Sequence, residues 1–161
     1  MFALRRAVAQ TPRRLARGYA EVASSSDKLR LSLVLPHEAI FKSQDVVQVN
    51  LAAESGDLGV LANHVPSIES LKPGVLEVIE GSANESKKWF VSGGFANIHP
   101  NNTLTVNAVE AYPLDAFSPE AIRSGLAEAQ RVAGGSGTEE EKAEAAIEVQ
   151  VYEALQAALK A

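Results

Sequence analysis

No cysteine occurs among the 161 residues, which excludes disulfide frameworks, thiolate zinc sites and cysteine nucleophiles. Stability has to come from packing. The chain holds one tryptophan and 6% aromatic residues overall, too few for the stacking platforms that single-stranded nucleic acid uses. Nowhere does an apolar run approach the roughly 18 residues that span a bilayer, so a membrane would be reached through another protein. Histidine is limited to His37, His64 and His99, each near a proline where a strand pattern stops and none with an i, i+4 partner on a helix. A metal centre is therefore not expected. No Gly-x-Ser-x-Gly elbow marks a serine hydrolase. The run from Gly134 to Thr138 lacks the lysine of a phosphate loop, and it joins two helical patterns where a phosphate loop follows a strand. Glu139-Glu140-Glu141 reads as charge at a helix start rather than as an acid/base pair. No catalytic residue, cofactor site or metal ligand is assigned.

Acidic residues are missing from residues 1–20, which carry Arg5, Arg6, Arg13, Arg14 and Arg17 among Phe2, Leu4, Val8 and Leu15. That is the composition of a mitochondrial transit peptide, and Arg17-Gly18-Tyr19-Ala20 resembles a matrix-processing site. The competing reading is a basic arm for nucleic acid or membrane. Removing these residues takes five of 15 basic residues and none of the 20 acidic ones, so the net charge falls from −5 to −10. So acidic a remainder is a poor nucleic-acid binder, because phosphate contacts dominate that affinity. Residues 21–27, with a serine run, read as a flexible lead-in.

What is present over residues 28–113 is a succession of strand patterns. Leu29, Leu31, Leu33 and Leu35 alternate until Pro36; Glu38 to Phe41 fits a short strand; Val47, Val49 and Leu51 alternate again. Gly56-Asp57 is a turn dipeptide, Leu58 to Leu61 an apolar run, and Lys72-Pro73-Gly74 a second turn. Val75 to Ile79 and Lys88 to Val91 flank a polar turn as a hairpin does. After Ser92-Gly93-Gly94 come runs from Phe95 to His99 and from Thr103 to Val109. Strands spaced every eight to twelve residues, with no long helical pattern between them, predict an antiparallel β-sandwich or flattened barrel of eight to ten short strands.

From residue 114 onward alanine and glutamate replace glycine and β-branched residues, predicting a two-helix antiparallel hairpin over residues 114–161. Ser118-Pro119-Glu120 supplies an N-cap, a proline at the first helical position and an acid at the positive helix end. Ile122, Leu126, Ala129 and Ala133 share a face. Thr138 and Glu141 form a capping box, after which Ala143, Ile147, Val151, Ala154, Leu155, Ala158 and Leu159 make an apolar stripe. Ile122, Leu126, Ile147, Val151 and Leu155 are expected to pack the hairpin.

The pattern Gly-(acid)-Leu-Gly-Val-Leu at Gly56 to Leu61, His64 and Pro66 two apart, and Leu71-Lys72-Pro73-Gly74 resemble the delta/epsilon family of small rotor subunits of rotary ATP synthases. A second block, Phe90-Val91-Ser92-Gly93-Gly94-Phe95 followed by Thr103 to Ala108, resembles the same family, and Asn63 before His64 resembles its mitochondrial branch. The resemblance implies a non-catalytic piece of the proton-transporting complex's central stalk, on the matrix side of the mitochondrial inner membrane. Its implied partners are the gamma subunit, the small mitochondrial epsilon subunit and the membrane c-ring, with no direct membrane insertion. A loop bearing Gly56, Asp57 and His64 matches the family segment that faces the ring. Some bacterial relatives bind ATP through Ile/Leu-Asp-x-x-Arg; here Leu114-Asp115 is followed by Ser118 in the arginine's place, so no useful ATP binding is expected. The family's inhibitory opening of the hairpin is not expected either, given a continuous apolar stripe and a partner to hold it. Two readings from other classes are a matrix enzyme with convergent polar groups in a cleft, and a small-molecule or lipid-binding β-module with an empty interior.

Overall fold

A computed structural model of the chain describes residues 28–81 and 86–160; the transit peptide and lead-in expected over residues 1–27 lie outside the described residues. Ten strands come first: β1 (Leu29–Val34), β2 (Ala39–Val46), β3 (Gln48–Ala53), β4 (Gly56–Leu61), β5 (Ser67–Leu71), β6 (Gly74–Ile79), β7 (Ser86–Val91), β8 (Gly94–His99), β9 (Thr103–Ala108) and β10 (Ala111–Pro113). A single 3-10 turn (Leu114–Ala116) leads into α1 (Pro119–Ala133) and α2 (Glu139–Ala158). The alternation read from the sequence is the reason for the strands: Leu29, Leu31 and Leu33 are buried on one face of β1, as are Val49, Leu51 and Ala53 on β3. Pairing is antiparallel except between β1 and β9, which run parallel from Arg30↔Thr103 to Val34↔Asn107. Spacing alone suggested an all-antiparallel sheet; the parallel pair arises because β9 returns to β1 from far along the chain.

The strand order is β10-β7-β6-β3-β5-β8-β9-β1-β2, with β4 paired to β3. Such a sheet curls under its own twist, and here its two ends meet through side chains. Phe41 on β2 stands edge-on to Trp89 on β7, ring centroids 6.2 Å apart. Beside them Gln44 Nε2 donates to Glu80 Oε1 at 3.1 Å, and Lys87 Nζ donates to the same oxygen at 2.9 Å. The interior is filled by leucine, valine and alanine with no buried charged residue among those described. The cavity reaching Leu51, Leu71, Leu76 and Val91 is about 10 Å³, no more than one water occupies.

Both helices start as their caps dictate. Ser118 Oγ accepts from Ala121 N at 3.4 Å with Pro119 first in α1, and Thr138 and Glu141 exchange both bonds of a capping box at 3.2 and 2.8 Å. A second, smaller cluster joins hairpin to sandwich: Phe90 from β7 meets Ile122 and Leu155, with Phe117 edge-on to Phe90 at 5.7 Å. Leu126 and Val151 are half-buried. Ile147 does not pack: it is 63% exposed. Helical periodicity puts it on the face of Ala154 and Ala158, which overlook the sandwich, but two turns nearer the loop, where no strand lies against the helix. Ala145, which the sequence did not single out, is buried there, as is Ala129 of α1. The apolar stripe of α2 is therefore not continuous along one buried face.

Candidate partner-binding surface

The three residues matched to the ring-facing segment are not in one loop. Gly56 and Asp57 open β4, whereas His64 lies in the turn beyond its far end. The strand between them spans about 17 Å at the usual rise. The sequence signal was misleading because the apolar run Leu58 to Leu61 is itself the strand. At the Gly56 end the turns are tied together: Ser55 Oγ donates to Glu69 Oε2 at 2.8 Å, Glu54 N to Ser70 O at 2.9 Å, and Lys72 N to Ala52 O at 3.2 Å. Lys72 Nζ also stands 3.8 Å from the Asp57 carboxylate, an exposed pair worth at most about 1 kcal/mol.

At the opposite end His64 Nδ1 lies 2.8 Å from Val65 O, and Asn63 N donates to Asn102 Oδ1 at 2.7 Å. Asn63 has φ of +64°, a conformation that asparagine tolerates and proline cannot adopt. His37 Nε2 lies 3.9 Å from Glu38 Oε1, but among the described residues no three His, Asp or Glu side chains are placed to hold a metal ion.

One broad face is conspicuous for what sequence reasoning did not list. Cross-strand partners share a face, so Ile68 lies in a row with Asn97 and Thr105, and Ser70 in a row with Phe95 and Asn107. Ser32 and Val34 of β1 extend these rows. Ile68 is 70% and Phe95 58% exposed, and these two rows carry no charged side chain. Charge depletion around an exposed aromatic is the composition of an interface centre, not of an ordinary solvated sheet. The alternation in β5 and β8 held this signal: Ile68 and Phe95 are out of phase with the buried Leu71, Ala96 and Ile98.

Polar side chains are ordered on the other outer face. Gln48 Nε2 donates to Asn50 Oδ1 at 2.6 Å, and Asn50 Nδ2 to Glu77 Oε2 at 3.0 Å. The Asn50 bond, followed by one from Ser86, holds the Glu77 carboxyl below its ordinary value. At the start of α1, Ser118 is engaged as the helix cap, so the position of the bacterial arginine contributes no cation.

Comparison with known proteins agrees with this architecture. Residues 28–113 match the family "ATP synthase, Delta/Epsilon chain, beta-sandwich domain", and residues 117–157 match "Fungal epsilon subunit of F1F0-ATP synthase C-terminal domain". The mitochondrial ATP synthase subunit delta of Agaricus bisporus is 68% identical over 143 residues, covering 89% of this chain and 85% of that protein. The Saccharomyces cerevisiae protein of the same name is 54% identical over 144 residues, covering 89% and 88%. In a solved Euglena gracilis mitochondrial ATP synthase, described as OSCP/F1/c-ring, a chain 27% identical superposes with a TM-score of 0.81 over 93% of this chain and 99% of its own length. The chain belongs to the ATP synthase delta/epsilon family, among its mitochondrial delta subunits.

Proposed function

We propose that this chain is a non-catalytic central-stalk subunit of the mitochondrial proton-transporting ATP synthase, turning with the gamma subunit and coupling the c-ring to the catalytic head. The observation that carries the reading is the uncharged face of β5, β8 and β9 with Ile68 and Phe95 exposed, on a sheet closed by its own side chains. Such a surface gives a rotor contact that holds without depending on salt-screened charges. The Euglena assembly holds a matching chain together with F1 and the c-ring, which supports the same partners here, with the small mitochondrial epsilon subunit as a further one. No helix among the described residues is long and apolar enough to cross a membrane, in keeping with a peripheral seat on the matrix side of the inner membrane.

Within this reading the ring-facing end is the one formed by Gly56, Asp57 and Lys72. His64 sits at the other end of the sandwich and is assigned no ring contact. The test is recovery of a tagged chain from gently solubilised mitochondria. Wild type is expected to bring gamma, alpha and beta in stoichiometric amounts, and the double variant Ile68→Asp/Phe95→Asp to lose at least nine-tenths of the gamma subunit while staying folded. Recovery of the wild-type chain free of ATP synthase subunits would refute the function; undiminished gamma with the double variant would refute the assigned face.

A further inference from the structure

The two uncharged rows on the sheet face give way to a third row that is charged. Two residues further along the strands, Arg30 of β1, Thr103 of β9 and His99 of β8 lie side by side and point outward, as Ser32, Thr105 and Asn97 do. Arg30 is exposed, and its ladder partner on β2 is Asp45. The obvious ion pair is not made. Asp45 is taken by Lys28 at 3.9 Å, whereas the Arg30 guanidinium leans the other way, toward β9, and donates from Nη2 to Thr103 Oγ1 at 3.3 Å. Among the described residues no carboxylate pairs with Arg30. With about 4.8 Å between strands and about 6.6 Å between successive outward residues, Ile68 and Phe95 stand about 8 Å apart and Arg30 about 16 Å from each. The face therefore carries two apolar points and one distant cation.

We propose that Arg30 pairs with a carboxylate of the partner that covers this face, and so fixes the register in which the face is seated. The inference rests on the stalk reading, in which that partner is gamma, and adds the chemistry of one contact. Serine, threonine and asparagine around two apolar side chains adhere well but repeat every second residue, so a slip of about 6.6 Å meets similar groups. A charge at one corner breaks that repeat. A partner acid about 16 Å from the seats of Ile68 and Phe95 meets the guanidinium in one register only, and the planar fork can donate to both carboxylate oxygens. A slipped or reversed partner instead covers the cation without pairing it, which is costly. The two tasks are thus divided: the uncharged rows supply adhesion and Arg30 supplies orientation.

The test uses the assembled complex. Arg30→Lys places a primary amine where a carbodiimide can join it to a touching carboxylate, and the expected product is an amide from position 30 to an Asp or Glu of gamma, located by mass. Arg30→Glu should lower gamma recovery at least tenfold at low salt. Arg30→Gln, which removes the cation without opposing the acid, should lose clearly less, and changing the located acid to arginine should restore the Arg30→Glu complex. Both free variants should stay folded, as read by Trp89 fluorescence, because position 30 is exposed. An amide only to this chain's own Asp45, or to no acid, would overturn the proposal. So would undiminished gamma with Arg30→Glu, or equal losses from the two variants, since neither outcome needs a carboxylate opposite. If the wild-type chain itself comes away without gamma and the catalytic subunits, the stalk reading has failed; if it brings them and Arg30→Glu does too, only the register contact has failed.

Discussion

Gly94 opens β8 with φ of +140°, and a β-carbon built on it would overlap the carbonyl oxygen of Asn107 and stand 2.9 Å from Ala108 Cα, both backbone atoms of the neighbouring strand. Gly56 has a similar φ of +133° and open space where its β-carbon would go. The two alanine substitutions therefore separate backbone strain from steric overlap. Strain at such a φ costs about 1–3 kcal/mol, and that is all Gly56→Ala should lose. Gly94→Ala adds displacement of β9, endangering the Gly94↔Ala108 pair and the bond from Val109 N to Gly93 O at 3.0 Å; overpacking of that kind costs roughly a further 1–3 kcal/mol. Taking midpoints, Gly94→Ala should lose about 4 kcal/mol against about 2 for Gly56→Ala, so their melting temperatures should differ by about 4–8 °C at 2–4 °C per kcal/mol. Urea unfolding followed by Trp89, the chain's single tryptophan, reads the sandwich directly because its ring lies against Phe41. Coincident midpoints for the two variants, at unchanged slope, would refute the assignment of the extra loss to contact with β9.

Three other outcomes follow from particular bonds. Glu77 has its pKa lowered first by Asn50 and then by Ser86, so its contribution is present above the ordinary carboxylate value and lost as pH falls through the depressed one. The stability gap between wild type and Asn50→Ala should thus be widest near neutrality and close below about pH 4; a gap that does not depend on pH contradicts the assignment. Thr138→Ala removes the Oγ1 that accepts from Glu141 N, one of the two reciprocal bonds at the start of α2, and should cost about 1 kcal/mol, seen as faster amide exchange at Glu141, with Thr138→Ser largely restoring it. ATP titrated against the chain should give no saturable signal in the micromolar range, since Ser118, the helix cap, stands in the arginine's place of the Ile/Leu-Asp-x-x-Arg pattern; micromolar affinity would overturn this.

Much of the fold is legible because half-buried strands and capped helices announce themselves locally. The alternation of β1, β3 and β9 follows from one wet and one dry face, and Ser118-Pro119 and Thr138-x-x-Glu141 specify helix starts through single hydrogen bonds. What escaped is what depends on where elements end relative to one another. Ile147 keeps the same helical phase as Ala154, and only the limited reach of the sheet decides that one is covered and the other is not. Gly56 and His64 are eight positions apart, close enough to be taken as one loop; that the intervening residues form β4 depends on pairing with β3. The parallel β1–β9 pair joins residues more than seventy positions apart, beyond any local pattern.

The separation of Gly56 from His64 changes how load would cross the subunit. On the proposed assignment, torque entering at the Gly56–Asp57 turn would pass first into the β3–β4 hairpin, which is paired along its whole length from Gln48↔Leu61 to Ala53↔Gly56. From there it must reach β5 and β8, which carry Ile68 and Phe95. The β3–β5 junction has a single ladder pair, Ala53↔Leu71, so by backbone register alone it is the weakest step. It is also where the supplementary bonds gather: Glu54 to Ser70, Lys72 to Ala52, Ser55 to Glu69 and the Asp57–Lys72 pair. Beyond it, β5 and β8 share five successive pairs, and the force spreads over many bonds loaded together. The acidic, glycine-bearing stretch is thus tied in at the one place where a curled sheet would otherwise shear, which is why a turn, a charge pair and a Lys-Pro-Gly bend belong to the same end of the sandwich.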